Sequence, residues 1–420
     1  MSERPVGTGS TAAVGIRAVL VLPAARRLWL AGIGAGVVRW LGLLAFGLWA
    51  LAATGSPLIV SLMGFMRFLP LLLLGATAAS VADRVGRKRL LLSVHGGLAV
   101  VDTGVAVLAF ANLLNPVIVG AAALASGVFW VFEATARRSA LADAAGLHNA
   151  SASMGLDMMT SHATRIFGPA LGGALLSGVG IGGVFVLNAL LYLAGFVLIL
   201  RTPITDPPPP PRAHLLREVR EGGRYLFADV ALVGLLLTTL VVNLLGLPYM
   251  ALAPVIGRQS LGLSDAGTGL LMTGEGIGSV LGTLIAMRFV RLPWIVPTLT
   301  WSAGLFLLAL IAFTAAPVTL LAYPALLFVG LGMGGFSAMQ ATMPMTLVPS
   351  SRRMIVMGGV MVAVGTAPLG FILAGYLADR TGAPLAIAVF AGMGLVLLAA
   401  MGLRWPQLFR PRHHHARNPT

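Results

Sequence analysis

The chain has 420 residues, of which 58% are hydrophobic and 10% charged, and its mean hydropathy of +0.93 excludes a water-soluble core and places the protein in a membrane. A formal charge of +15 would suggest nucleic-acid binding in a soluble domain, but the cations cluster in short loops between apolar runs, which points to a lipid bilayer and away from nucleic acid. Cysteine is absent, which excludes disulfides, thiol catalysis and thiolate metal sites.

Arg4, Arg17, Arg26 and Arg27 precede the first long apolar run, and no small-residue cleavage site precedes a polar mature chain, so no removable leader is expected. Apolar runs long enough to cross a hydrocarbon core of about 30 Å predict twelve helices, at 28–51, 57–82, 90–111, 116–136, 151–176, 182–200, 230–253, 265–289, 294–314, 318–347, 354–378 and 383–403. The proline run in TPITDPPPPPRAH cannot be helical and divides the chain into an N-terminal six-helix bundle (1–203), a cytoplasmic linker with a short surface helix (204–226) and a C-terminal six-helix bundle (227–420). An offset of 202 residues places Gly168, Gly173, Leu175 and Gly180 on Gly370, Gly375, Leu377 and Gly382. That register puts the fifth helix on the eleventh, as a duplicated six-helix unit requires, so the predicted fold is an all-α integral membrane protein of two pseudo-symmetric bundles. Twenty-three of the 28 Lys and Arg residues fall in the termini, the central linker and the even-numbered loops, and only Arg258 and Arg380 in the odd-numbered ones. The asymmetry predicts that both termini are cytoplasmic. Among the cations only Lys88 is a lysine, a bias that suggests a GC-rich bacterial source and hence a bacterial inner membrane.

Between the second and third helices the chain reads ASVADRVGRKR, Ala79 to Arg89. An acid, a glycine and several cations in so short a connection exceed what a positively charged loop needs. Asp83 sits at a membrane border, where a carboxylate is cheapest beside arginines or a helix N-terminus, and Gly86 supplies the turn. The segment resembles the loop GxLADRxGRKxxL of the major facilitator superfamily, with Asp83, Arg84, Gly86, Arg87 and Lys88 matching. The resemblance implies a cytoplasmic gating loop whose carboxylate latches onto the other half near Met354. In the fifth helix Gly168, Pro169, Gly172 and Gly173 form GPxxGG, which resembles the kink associated with antiporters and hence with export, although Thr164 replaces its earlier glycine. The segments REGGRYL, LPYMALAPVIGRQSLGLSDAGTG and VPSSRRMIVMGGVMVAVGTAPLGFILAGYLADRTG resemble the enterobactin-exporter and macrolide-efflux branch. The arginine that many proton-coupled relatives carry in the fourth helix is missing from PVIVGAAALASGVFW.

Ionisable residues inside spans are functional candidates, because each costs about 2.5 to 3.5 kcal/mol at a helix centre. By depth, Arg39, Arg67, Asp102, Arg165 and Glu275 lie near the midplane, and His95, Glu133, Asp157 and His162 nearer the cytoplasm. Three arginines facing two mid-depth acids predict pairs to Asp102 and Glu275 with one cation over, which would favour an anionic or zwitterionic ligand. Asn243 and Gln340 could line the cavity, while Met154, Met158 and Met159 are expected to fill the core. Static ion pairs that only lock helices together are the competing reading for every charge.

There is no nucleophile elbow, no metal-ligand spacing and no phosphate loop GxxxxGK[ST], so neither an enzyme nor an ATP-driven pump is expected. The resemblance implies a cofactor-free secondary transporter, driven by a proton gradient and acting as a monomer. It would export an amphipathic small molecule such as a drug, siderophore or other secondary metabolite. A lysophospholipid or other lipid transporter is the alternative within transport, and a non-transporting sensor on the same fold the alternative outside it.

Overall fold

The structure is a computed structural model that describes residues 15–75, 77–204, 225–227, 229–290, 293–349 and 352–411. Most of the predicted linker and its surface helix lie outside these residues. Among the described residues, eleven helices are long and apolar enough to cross a membrane. One of them, Ala150–Leu200, has 51 residues. At 1.5 Å per residue it would be about 77 Å long, more than twice the hydrocarbon core, so it cannot be one span. It breaks at Gly180, whose backbone (φ 66°, ψ −177°) suits glycine alone, and supplies the fifth and sixth spans. The twelve predicted spans are therefore present.

Three of the spans that start on the face opposite the termini, hereafter the far face, begin with side-chain caps. Ser56 accepts from the Ile59 amide (3.3 Å) to start the second span, Pro57–Leu74, which resumes as Ala78–Val85. Asn115 accepts from Val117 and Ile118 (3.0 Å each) to start the fourth, Pro116–Ala145. Ser264 accepts from Gly267 (3.0 Å) to start the eighth, Asp265–Met287. Such caps satisfy amides that neither lipid nor the helix itself can satisfy. The first span is Pro23–Thr54, the third Arg87–Phe110, the ninth Ile295–Thr314, the tenth Thr319–Leu347, the eleventh Ile355–Thr381 and the twelfth Ala383–Arg404. The seventh, Val230–Ser260, is interrupted by π-helical turns at Val242–Gly246 and Ile256–Ser260 and contains Pro248 and Pro254.

The fourth span runs well past its predicted end at 136, which corrects the charge count. Arg137, read in sequence as a loop cation, is 3% exposed inside the span. The asymmetry across the membrane survives the loss of one charge.

Two crossings join the first six spans to the last six. The second span runs antiparallel to the eleventh, with Phe68 stacked on Phe371 (5.3 Å between centroids), and side chains at Gly64 and Gly375 would overlap Phe371 and Ser61. The fifth crosses the eighth, where a side chain on Gly173 would strike the Asp265 carbonyl and one on Gly276 the backbone of Ile166. Small residues permit such close approach where lipid offers helices no hydrophobic drive to associate. The glycine coincidences of the internal repeat thereby acquire a physical meaning. Gly168 and Gly370 lie against the first and seventh spans, at Trp40 and Leu244, while Gly173 and Gly375 lie at the two crossings.

The buried apolar residues fall into two clusters. The larger unites the last six spans with the far-face portion of the first six, through residues such as Phe46, Val60, Met63 and Phe185. The smaller, around Leu28, Leu91, Leu141 and Leu156, belongs to the first six spans on the termini face. The two halves thus share a core at mid-depth and toward the far face and have separate cores toward the termini face.

The charge asymmetry and the exposed positions Leu113 and Pro203, on opposite faces, yield a topology test in this cysteine-free chain. Single cysteines at these positions, probed on intact cells with an impermeant maleimide, should label at Leu113 and not at Pro203. Labelling at Pro203 alone would invert the orientation.

Candidate functional site

Charged side chains buried in the spans assemble into two groups. The first lies inside the first six spans, on the termini side of the midplane. Arg137, four residues after Glu133 and so on the same helix face, donates to Glu133 Oε1 (2.5 Å) and to Asp157 Oδ1 (2.5 Å). Arg138, half exposed, donates to Asp157 Oδ2 (3.0 Å). Arg39 approaches Glu133 at 3.6 Å, with its guanidinium 5.2 Å from the Trp130 ring centre. A side chain at Gly32 would overlap the Arg137 guanidinium, so the first span closes over this network.

Arg67 and Asp102 adjoin this group. Arg67 is 6% exposed and donates to the Arg39 carbonyl (3.1 Å). Asp102 is 2% exposed, and its Oδ2 has no hydrogen-bond partner. Neither takes part in an ion pair within 4 Å among the described residues, so the expected arginine pair to Asp102 does not form and Arg39 turns to Glu133 instead. The reason is helix phase: Glu133 and Arg137 lie on the face of the fourth span that meets the first, and depth alone could not order these acids. Including Arg137, Glu133 and Asp157, four buried arginines face four buried acids, and the surplus of cations that favoured an anionic ligand disappears.

The second group joins the two halves. Arg165 in the fifth span and Glu275 in the eighth form a bidentate pair, Nε to Oε2 at 2.9 Å and Nη2 to Oε1, with side chains 14% and 4% exposed. The Arg165 guanidinium lies 5.0 Å from the Trp40 ring centre. The backbone of Glu275 is held by packing, its carbonyl lying against Gly330 of the tenth span so closely that a side chain there would overlap it; the buried Tyr249, whose hydroxyl has no hydrogen-bond partner among the described residues, lies within electrostatic reach of the carboxylate. The pair lines a small cavity of about 20 Å³ with Trp40, Pro169 and Met272. A second small cavity, of about 10 Å³, is lined by Arg67, Phe46 and Met63. Leu43, Met250 and Pro254 line both and so form the partition between them. Both cavities lie between the halves, against the irregular seventh span. Interrupted helices are expected beside a transport site, since their freed backbone groups must be satisfied by protein or by a cavity.

Other predicted residues take lesser places. Asn243, in the first π-helical turn, donates to the Thr239 carbonyl (2.9 Å), and Gln340 donates to the Thr239 hydroxyl (3.0 Å), so they converge on one residue. His95 Nδ1 lies 3.0 Å from the Leu91 carbonyl, its ring is fully buried and its Nε2 has no partner. His162 is half-buried. Met158 and Met159 are 51% and 61% exposed, which overturns their assignment to the core. In the GPxxGG element, side chains at Gly168 and Gly172 would press on Trp40 and Leu41 of the first span, and Pro169 lines the first cavity. In the loop after the second span, Gly86 has φ 90°, Arg84 is exposed, Lys88 is half-buried and Arg87 pairs with Asp143 at the end of the fourth span. The side chains of Asp83 and Met354 lie outside the described residues.

Sequence reasoning missed Arg137, Trp40, Trp130 and Tyr249. The signal for Arg137 was the helical pattern continuing through FEATARRSALADAA as far as Gly146, with Glu133 and Arg137 one turn apart.

The sequence pattern of the family described as "Transmembrane secretion effector" matches residues 17–414. The chain is 28% identical over 356 residues to the enterobactin exporter EntS of Escherichia coli O1:K1 / APEC, covering 82% of this chain and 81% of that one. EntS of Shigella boydii serotype 18 matches to the same extent. Among solved structures, the nucleoside transporter NupG superposes with a TM-score of 0.73 at 12% identity, covering 93% of this chain and all of that one. A bacterial homologue of the human lysosomal transporter Spinster, inward-facing and occupied, gives 0.69 at 15% identity, covering 94% and 97%.

The three-way contact of Arg137 with Glu133 and Asp157 predicts an asymmetric mutational response. Arg137→Met leaves Glu133 with only the 3.6 Å approach of Arg39 and Asp157 with only the half-exposed Arg138, and should cost about 3 kcal/mol, read as a lower thermal midpoint in detergent. Adding Glu133→Gln and Asp157→Asn should recover most of that loss. Failure of the triple variant to recover would show that the arginine acts by packing instead of charge.

Proposed function

This chain belongs to the transmembrane secretion effector family of the major facilitator superfamily, and on that premise we propose that it exports an amphipathic small molecule by proton-coupled alternating access. It is a membrane transporter and not an enzyme. The proposal adds the direction, the coupling ion and the class of substrate.

The observation that carries it is the Arg165–Glu275 pair, an ion pair that joins the two halves and lines the first cavity. Rocking of the halves about a central site changes the fifth-to-eighth crossing, so the pair cannot keep the same geometry in both states. A proton on Glu275 neutralises the carboxylate, weakens its hold on Arg165 and biases the halves toward the other state. Proton uptake would then be coupled to shape through one contact. Both cavities are closed down in this state and would have to widen as the halves rock, but their walls favour a ligand with a large apolar surface and few polar groups: Trp40, Leu43, Phe46, Met63, Met250 and Met272 surround two charged centres, and methionine adapts to varied shapes. With buried charges balanced, shape and apolar contact select the substrate more than its charge. The kinship with an enterobactin exporter supports outward transport of a secondary metabolite, and the distribution of Lys and Arg supports cytoplasmic termini. The two six-span halves, joined by the 204–226 linker, act as the rocking units within a monomer.

Proteoliposomes containing the whole chain provide the test, with a panel of fluorescent amphiphiles of matched size. A pH gradient should drive uptake or release of at least one of them. Glu275→Gln should reduce that gradient-driven flux about tenfold or more while counterflow persists. Unchanged gradient-driven flux in the variant would remove Glu275 from coupling, and no flux of any amphiphile by the parent would remove the export reading.

A further inference from the structure

Alternating access requires a far-face seal that can be broken, and the structure places specific polar contacts there. Ser56 Oγ donates to Asp379 Oδ1 (2.5 Å), and the Leu58 amide points at the same oxygen (3.4 Å). Asp379 closes the eleventh span, and Ser56 and Leu58 open the second, so a carboxylate from one half caps a helix N-terminus in the other. There it meets both the free amides of the first turn and the positive end of the helix dipole. At the other crossing the Ala266 amide donates to Ser177 Oγ (3.0 Å). Ser177 lies near the end of the fifth span and Ala266 in the first turn of the eighth, so the same kind of cap runs in the reverse sense, from the first half to the second.

The two caps are equivalent positions of the internal repeat. The offset of 202 that aligns the glycines also places Ser177 on Asp379. Each cap sits between a close-approach glycine, Gly173 or Gly375, and a positive-φ glycine, Gly180 (66°) or Gly382 (88°). The tight crossing brings the helix end within reach of its partner, and the turn ends the span just beyond the capping side chain. Asp379 also lies in the sequence Ala378-Asp379-Arg380-Thr381-Gly382, which repeats the ADRxG of Ala82 to Gly86 at the opposite end of the partner helix. Arg380 stacks on Tyr376 (4.1 Å) and leaves the Asp379 carboxylate to the second span. Gln259 adds a longer contact, donating to the Gly55 carbonyl at 3.4 Å.

We infer that the two cross-half helix caps, Asp379 on the second span and Ser177 on the eighth, form the far-face gate of this protein, with the charged Asp379 providing most of its hold. The gate rests on the alternating-access reading, but its test reads shape without substrate or gradient, so the two fail independently. Spin labels on cysteines at Leu113 and Val318, exposed far-face positions in different halves, report the opening in lipid nanodiscs by pulsed dipolar distance measurement. The otherwise unchanged chain should show one dominant short distance. Asp379→Ala should add a longer-distance population and raise the open-to-closed ratio about three- to tenfold, the range expected for loss of one partly exposed charge-assisted hydrogen bond. Asp379→Asn, which keeps an acceptor oxygen without the charge, should fall between the two, and Ser177→Ala should give a smaller rise. Ser56→Ala removes the partner hydroxyl from the other half and should move the ratio in the same direction, which gives the answer even if Asp379→Ala does not fold. A distance distribution unchanged by Ser56→Ala and by every Asp379 variant that folds would overturn the gate.

Discussion

Everything in this structure depends on how closely helices of the two halves approach at two crossings. In lipid an apolar helix gains little by leaving the bilayer for another helix, so contact must be secured by close packing and by polar groups that would otherwise lack partners. Gly173 and Gly276 provide the first at the fifth-to-eighth crossing, and Gly64 and Gly375 at the second-to-eleventh. The polar contacts then follow from proximity: Arg165 with Glu275 at mid-depth, and the caps of Ser177 and Asp379 at the far face. A bulkier residue at these glycines would separate the backbones and take the polar partners out of range.

The buried charges divide by what they join. Arg137, Glu133 and Asp157 link the fourth and fifth spans within one half, and the first span covers them at Gly32. Every partner in that network lies within the same half. Arg165 and Glu275 belong to different halves, so their geometry is tied to the relation between those halves. Asp102 differs from both, being buried with an unpartnered oxygen and no ion pair among the described residues. A buried carboxylate without an ion pair is costly, which sets Asp102 apart from the acids that Arg137 holds.

The distribution of the core carries the same division. One continuous apolar cluster runs through the last six spans and the far-face part of the first six, whereas the termini-face part of the first half packs on its own. The two halves are therefore joined at one end and separately cored at the other. The seventh span, with two π-helical turns and two prolines, lies against both cavities, where a bent helix can change shape at low cost.

The sequence alone determined the membrane class, the twelve spans, the face on which cations gather and the correspondence of the fifth helix to the eleventh in the internal repeat, because hydropathy, loop charge and repeat register are each written along the chain. It also identified Arg165 and Glu275 as buried charges. The partners of those charges were decided by tertiary structure. Depth in the membrane follows from position along a helix, but partnership depends on rotation about the helix axis and on which helices are neighbours. Arg39 therefore met Glu133, no arginine paired with Asp102 among the described residues, and Arg137 became a buried bridge because the fourth span continued beyond the last apolar stretch. The cap of Asp379 on the second span joins residues more than three hundred positions apart; only the antiparallel packing of two helices from different halves brings that carboxylate to those amides.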